Sequence, residues 1–240
     1  MKKWTKRIIT AILVVCIISG TYFIGKGYIM YRTALKECSL EDKIQSIRGR
    51  ENYTTLDELP KIYLDAVIAV EDHRFYEHGP IDIISIGRAV WVNLTSLSLS
   101  EGGSSITQQL AKNIYFTQEK KLERKIAETF MAFALENKYE KDEILELYVN
   151  TIYFGSGYYG VYDASQGYFG KAPSEMTDFE STLLAGLPNA PSVYSPDVNP
   201  ELSFQRQQQV LARMVDCGYI TEEEAQAITA NSNLVSNGEK

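Results

Sequence analysis

Three short stretches of this sequence hold ionisable side chains at spacings that let them act on one another. The first reads Glu71-Asp72-His73-Arg74-Phe75-Tyr76-Glu77-His78-Gly79-Pro80. As a helix it places Glu71, Phe75 and His78 at i, i+4 and i+7, so that one face pairs a carboxylate with an aromatic wall. Gly79 before Pro80 is expected to end that helix, leaving His78 near its C-terminus, where the macrodipole favours the protonated ring. A solvated helix end with a capping histidine would use the same residues.

The second stretch is Gly102-Gly103-Ser104-Ser105-Ile106-Thr107-Gln108-Gln109-Leu110-Ala111-Lys112-Asn113. Two glycines lead into hydroxyl residues able to cap a helix, whose free N–H groups can receive an anion. Ser105, Gln109 and Lys112 then share a face, while Ile106, Leu110 and Ile114 pack the other. It is not a Walker loop, because the G-x-x-x-x-G-K-[ST] order is missing. A plain capped helix explains the serines but not two consecutive glutamines. In the third stretch, Lys121 to Glu128, an apolar stripe of Leu122, Ile126, Phe130 and Phe133 leaves Arg124 and Glu128 together on the other side. Taken alone, that pair reads as an exposed ion pair worth about 0.3–0.5 kcal/mol.

The elements that must carry these groups are helical. Tyr63, Val67 and Val70 follow helical spacing, as do Phe204, Leu211 and Val215. Gly218 stops that last helix, and Thr221 with Glu224 forms a capping box for the next. Ser39 followed by Asp42 marks another helix start. No alternating strand pattern of useful length and no repeat is visible, so the body reads as all-α. Ser96 to Ser105 is expected to be a mobile loop, and Leu187 to Pro200, with four prolines, an irregular connection.

At 240 residues the chain has room for one domain plus an accessory segment, and 45% apolar residues suffice for a core. The net charge of -7 hides an asymmetry, because the first 30 residues hold five cations and no acid. That leaves 19 basic against 31 acidic residues beyond them, a poor balance for binding nucleic acid. From Ile8 to Gly25 the chain runs eighteen residues without a charge. As a helix this is roughly 27 Å, close to the ~30 Å hydrocarbon core. Four preceding cations place the N-terminus in the cytoplasm and the remainder outside. A cleaved signal peptide shares the basic start, but the run is longer than a usual signal core and lacks a clear A-x-A site. Three cysteines make no disulfide framework, and His73 and His78 are the only histidines, which argues against a zinc enzyme. The resulting division is a cytoplasmic tail 1–7, a transmembrane anchor 8–30, a linker 31–58, a catalytic domain 59–230 and a flexible tail 231–240.

Two carboxylates, an anion-binding helix start and extra cations on an outward-facing anchored domain point to glycosyl transfer involving a lipid phosphate. At these same residues the chain resembles the peptidoglycan glycosyltransferases, glycosyltransferase family 51, and in particular their monofunctional single-span members. The family's E-D-x-x-F-x-x-H is met by Glu71, Asp72, Phe75 and His78, and its G-G-S-T-x-T-Q-Q-L-x-K-N from Gly102 to Asn113 with Ser105 for threonine. R-K-x-x-E falls on Arg124, Lys125 and Glu128; a fourth motif matches Ile144 to Asn150, Ile152 to Gly155 and Tyr168 to Lys171. A fifth resembles Leu184 to Pro188 with Pro191, followed by Arg206. Pro80 stands where family members usually have glycine.

The resemblance implies a lysozyme-like helical lobe and a smaller membrane-facing lobe with a cleft between them. It implies lipid II and lipid-linked growing glycan as substrates, joined β-1,4 with inversion and release of undecaprenyl pyrophosphate. Glu71 would be the general base, and Glu128 would assist at the sugar-pyrophosphate end, directly or through a divalent ion, Mg or Mn. No organic cofactor is implied. Lys112, Arg124 and Lys125 would stabilise the leaving group, Ser105, Gln109 and Asn113 would position the chain, and Asp72, Phe75 and His78 would organise the site. Expected surroundings are the bacterial membrane and other cell-wall synthesis proteins, with no nucleic acid. The missing S-x-x-K and K-T-G argue against acylation by β-lactams. Rival readings are a lysozyme-like enzyme that cleaves glycan and a non-catalytic partner of the cell-wall machinery.

Overall fold

A computed structural model describes residues 2–96, 103–117, 119 and 121–230. Among them run α1 (Lys2–Glu37), α2 (Leu40–Arg48), α3 (Lys61–Glu71), α4 (Ile83–Ser96), α5 (Ile106–Tyr115) and α6 (Leu122–Glu136). After these come α7 (Lys141–Val149), α8 (Val161–Phe169), α9 (Asp178–Gly186), α10 (Pro191–Tyr194), α11 (Pro200–Asp216) and α12 (Glu222–Ala230). One antiparallel pair, β1 (Tyr153–Gly155) and β2 (Tyr158–Tyr159), is too short to leave an alternating pattern in the sequence. The fold is all-α and lysozyme-like. The Ser96 to Ser105 loop lies largely, and the tail 231–240 wholly, outside the described residues.

The segment Lys3–Glu37 is long and apolar enough to cross a membrane. Ile12, Leu13, Ile17 and Ile18 are all more than half exposed, as suits a helix meant for an apolar surrounding. Its last turns dock on α6. A Cβ at Gly27 would lie 2.5 Å from Ile126 Cγ2 and 2.9 Å from the Glu123 carbonyl oxygen, so only glycine permits this approach. Phe130 then receives Tyr28 edge-on at 5.3 Å and Tyr31 stacked at 5.9 Å.

That docking corrects two expectations. The stripe on α6 does not face the core: Leu122 and Phe133 are about half exposed, while Ile126 and Phe130 meet α1. The inward face is the one carrying Ala127, Glu128, Met131, Ala132 and Leu135. Residues 31–58 are also no linker. Ala34, Leu40, Ile44 and Ile47 belong to the core, and Asn150 of the Ile144–Asn150 segment clasps Thr54 from both sides, at 2.8 Å to its N–H and 2.7 Å to its carbonyl.

The centre is built from α3, α9 and α11 packed on one another, with α5 laid against α6 and α7. Tyr63 and Val67 face the core as their spacing predicts, joined by Ala66, whereas Val70 is only partly buried and lines the cavity described below. Expected boundaries are met at Ser39, which accepts the Asp42 N–H, and at Gly218, with φ +75°. The Thr221 and Glu224 capping box opens α12. The proline-rich stretch holds a short 3-10 turn, Leu187–Asn189, and the brief α10 rather than wholly irregular chain. Gly155, at φ +95°, sits where a Cβ would meet the Pro191 carbonyl at 2.6 Å, pinning the hairpin to α10. Cys16, Cys38 and Cys217 are free thiols.

Candidate active site

A cavity of about 560 Å³ opens between the end of α3, the start of α5 and the middle of α11. Of the sequence-predicted residues, Glu71, Asp72, Ser105, Gln109 and Lys112 line it. Phe75, His78, Arg124, Lys125 and Glu128 lie outside its wall, and Asn113 lines a separate hollow beside Lys43 and Arg50.

Glu71 is the last residue of α3, which stops there and not at Gly79. Asp72 turns out of the helix with φ -162°, so Glu71, Phe75 and His78 do not share a helical face and His78 gains no helix dipole. Phe75 instead sinks into the core with Lys141 Nζ 4.4 Å above its ring. Glu71 Oε2 accepts the Gln109 Nε2–H at 2.8 Å, while Oε1 is buried without a hydrogen-bond partner. Burial raises its pKa; the Gln109 bond and the charges of Arg206 and Lys112 oppose this without cancelling it.

Asp72 joins the first two motifs. Its Oδ2 accepts the Ile106 N–H at 3.1 Å and its Oδ1 faces His78 Nε2 at 2.8 Å. The other ring nitrogen, Nδ1, faces the Gly79 carbonyl, so both nitrogens meet acceptors, as a doubly protonated ring requires. Burial lowers the His78 pKa, but those two bonds outweigh it and the net shift is upward.

The start of α5 is therefore not open to a substrate anion. Its first N–H is taken by Asp72, and the Gln108 N–H by Ser105 Oγ at 3.2 Å. Ser105 spends its own proton on the Pro80 carbonyl at 3.0 Å. The paired glutamines now separate in role: Gln108 closes a capping box back to the Ser105 N–H, and Gln109 reaches Glu71. Ser104, not singled out in the sequence, is the hydroxyl on the wall; Lys125 Nζ donates to its Oγ at 2.6 Å.

Glu128 is 1% exposed on the inward face of α6, where Arg124 binds one carboxylate oxygen and Lys125 the other at 3.2 Å. This is a triad around a buried carboxylate, not the exposed pair expected, and one of its cations, Lys125, reaches the cavity wall through Ser104. Lys112 is within electrostatic reach of both acids: burial lowers its pKa, with Arg124 and Lys125 adding to this and Glu128 and Glu71 opposing it. A carboxylate already holding two cations offers no coordination to a divalent ion, so Glu128 does not fit the metal role. The group Asp72, His78 and Asp82 has ligand atoms within 4.8 Å, but Asp72 and His78 are bonded to each other and Asp82 is held by Arg74.

Opposite Lys112 the wall is again cationic. Arg206, Gln209 and Arg213 fall at i, i+3 and i+7 on α11, and Arg88 comes from α4. Arg206 Nε donates to the Gly186 carbonyl at 3.2 Å, which fixes its stem. His73 lies among these groups; burial and the charges of Arg213, Arg88 and Arg74 all lower its pKa. Of these, Arg206 was singled out by the fifth motif, whereas Gln209, Arg213 and Arg88 were not singled out in the sequence. The site thus sets Glu71, whose carboxylate has one oxygen without a hydrogen-bond partner, among the cations Lys112, Arg88, Arg206 and Arg213, while the neighbouring Asp72 and Asp82 are each taken up by partners of their own.

Residues 40–215 match the model of the Transglycosylase family, and the chain belongs to it. Within it, the chain is similar to a putative transglycosylase of Cupriavidus necator, 39% identical over 89% of this chain and 90% of the relative. It is also 47% identical to penicillin-binding protein 1F of Bacillus subtilis and to penicillin-binding protein 1A of Aquifex aeolicus, over 71% and 72% of this chain. It spans about a quarter of the length of those two, 24% of each. A solved structure of penicillin-binding protein 1A from Haemophilus influenzae matches 74% of this chain and 17% of its own, at 28% identity and a TM-score of 0.45.

Proposed function

We propose that the chain is a peptidoglycan glycosyltransferase that polymerises lipid II into β-1,4-linked glycan strands. The observation that carries this reading is Glu71, half-buried with one carboxylate oxygen sealed from water and unpartnered, and made more basic by that desolvation amid cationic groups. Glu71 removes the proton of the acceptor's 4-hydroxyl. The freed oxygen attacks the anomeric carbon of the lipid-linked donor, with inversion. The bond from that carbon to the pyrophosphate oxygen breaks, and undecaprenyl pyrophosphate departs. Its growing charge is met by Lys112 and by Lys125 beside Ser104. Glu128 works by holding Arg124 and Lys125 in place.

We place α1 across the membrane with its N-terminus in the cytoplasm and the catalytic body outside. There the cleft shares a surface with its lipid substrate, which raises the effective concentration. Exposed Ile83, Ile84 and Trp91 on α4 give the body a second apolar contact with that surface.

A raised carboxylate also suits the general acid of a glycan-cleaving enzyme. Such an enzyme has no diphosphate to stabilise, and two cationic walls would then be costly and idle. Purified lipid II and finished glycan, each incubated with the protein, separate the two. Polymer from lipid II with intact glycan supports the proposal; glycan fragments with unreacted lipid II would overturn it.

A further inference from the structure

Tyr148 is a member of the Ile144–Asn150 motif to which the chemistry above gives no task. Its phenol is 1% exposed on α7, it is outside the cavity wall, and its hydroxyl donates to Gln109 Oε1 at 3.5 Å. Gln109 in turn donates from Nε2 to Glu71 Oε2 at 2.8 Å. We propose that Tyr148 is a positioning residue for Glu71, acting through Gln109: the acceptor-only carboxylate draws Nε2 toward itself, and the Tyr148 hydroxyl supplies the donor that the amide oxygen then needs, holding the side chain in that pose.

The chemistry of the three groups makes the chain directional. An ionised carboxylate only accepts, so Gln109 must offer it Nε2 and turn its carbonyl the other way. That carbonyl needs a donor, and the Tyr148 hydroxyl supplies one. With the amide reversed, an oxygen would face Glu71 Oε2, and the carboxylate would lose its hydrogen bond while Oε1 already has none. Burial would then act on Glu71 unopposed by any hydrogen bond, and only the more distant charges of Arg206 and Lys112 would favour ionisation. Tyr148 thereby keeps a desolvated base in its ionised, usable state, from the side that substrate never touches.

This inference rests on Glu71 being the base, so its test includes a measurement that needs no turnover. In the full chain in detergent micelles, the Glu71 carboxyl is titrated by 13C NMR, assigned by the signal lost in Glu71→Gln, for wild type, Tyr148→Phe and Gln109→Leu. The expected result is a higher Glu71 pKa in both variants, with the acidic limb of the lipid II polymerisation profile displaced the same way. At neutral pH, Tyr148→Phe should lower kcat about three- to tenfold, the worth of one hydrogen bond, with KM little changed. In the Gln109→Leu background, adding Tyr148→Phe should produce no further displacement. An unchanged Glu71 titration in Tyr148→Phe, with Gln109→Leu displaced, would overturn the role of Tyr148. An unchanged titration in both would overturn the whole link. A wild-type protein inert toward lipid II would refute the proposed function, while the titration still decides this one.

Discussion

The Asp72 carboxylate accepts the Ile106 N–H at 3.1 Å, so the residue after Glu71 closes the helix that carries Gln109 and Lys112. One contact between positions 34 apart fixes how the base and the cationic wall stand to each other. Asp72→Ala leaves that N–H and the His78 Nε2 without their partner, at about 1–3 kcal/mol. Thermal unfolding should show that loss, and polymerisation should fall more than the loss of folded protein accounts for.

The pH dependence of His78 follows from the same pair. Its folded pKa lies above the ordinary 6.5 because the bonds to Asp72 and Gly79 outweigh burial. A raised histidine contributes stability that is fully present below its unfolded pKa and is lost as pH rises through the folded value. Wild type should therefore lose stability over that window on the alkaline side of 6.5. His78→Gln should start lower and show a flatter profile in denaturant titrations at a series of pH values.

Glu71 carries the opposite sign. Its folded pKa is raised, chiefly by burial, so the fold binds that proton more tightly than the unfolded chain, and ionisation costs stability. Glu71→Gln should melt higher than wild type at neutral pH, with the gain shrinking to nothing below the unfolded value near 4.5. The same variant should lose about 10²–10⁴-fold in polymerisation rate, the usual worth of a general base. Equal melting temperatures at pH 8 would count against a desolvated base.

Glu128 and Arg124 should behave as one unit. Glu128→Gln strands two cations, one of them half exposed, and should cost about 2–3 kcal/mol. Its activity defect should be matched by Arg124→Ala and barely deepened in the double variant. Additive defects would instead give Glu128 a direct part in the reaction.

The neighbouring serines are predicted to differ. Ser105→Ala removes a helix cap worth about 1 kcal/mol and should lower the melting temperature with KM for lipid II nearly intact. Ser104→Ala frees Lys125 at the cavity wall, and should raise KM while leaving stability almost untouched.

The helices, caps and motif order were legible in the sequence because each depends on neighbours three or four residues apart. The Thr221 box and the buried face of α3 are of this kind. The α6 stripe misled because a second helix, separated from it by some hundred residues, covers the apolar side, and periodicity does not say which partner a face meets. Glu128 was read as exposed for that reason. Glu71 was singled out and does line the cavity, but its surroundings were misread: the helix breaks at Asp72, and groups acting on its carboxylate come from α5 and α11. Arg88 left no local signal, and Tyr148 was legible only as a member of the Ile144–Asn150 motif, since what each one meets arises from tertiary placement.

The close fit of Gly27 against Ile126 has a further outcome for the molecule in its setting. A catalytic body on a slack tether would wander through a range of heights and tilts above the lipid. Here the stalk is soldered to the scaffold, so the groove rides at one altitude and one heading. Under the proposed function, a strand would grow past a station that holds its height, as thread passes a needle bolted to its bench.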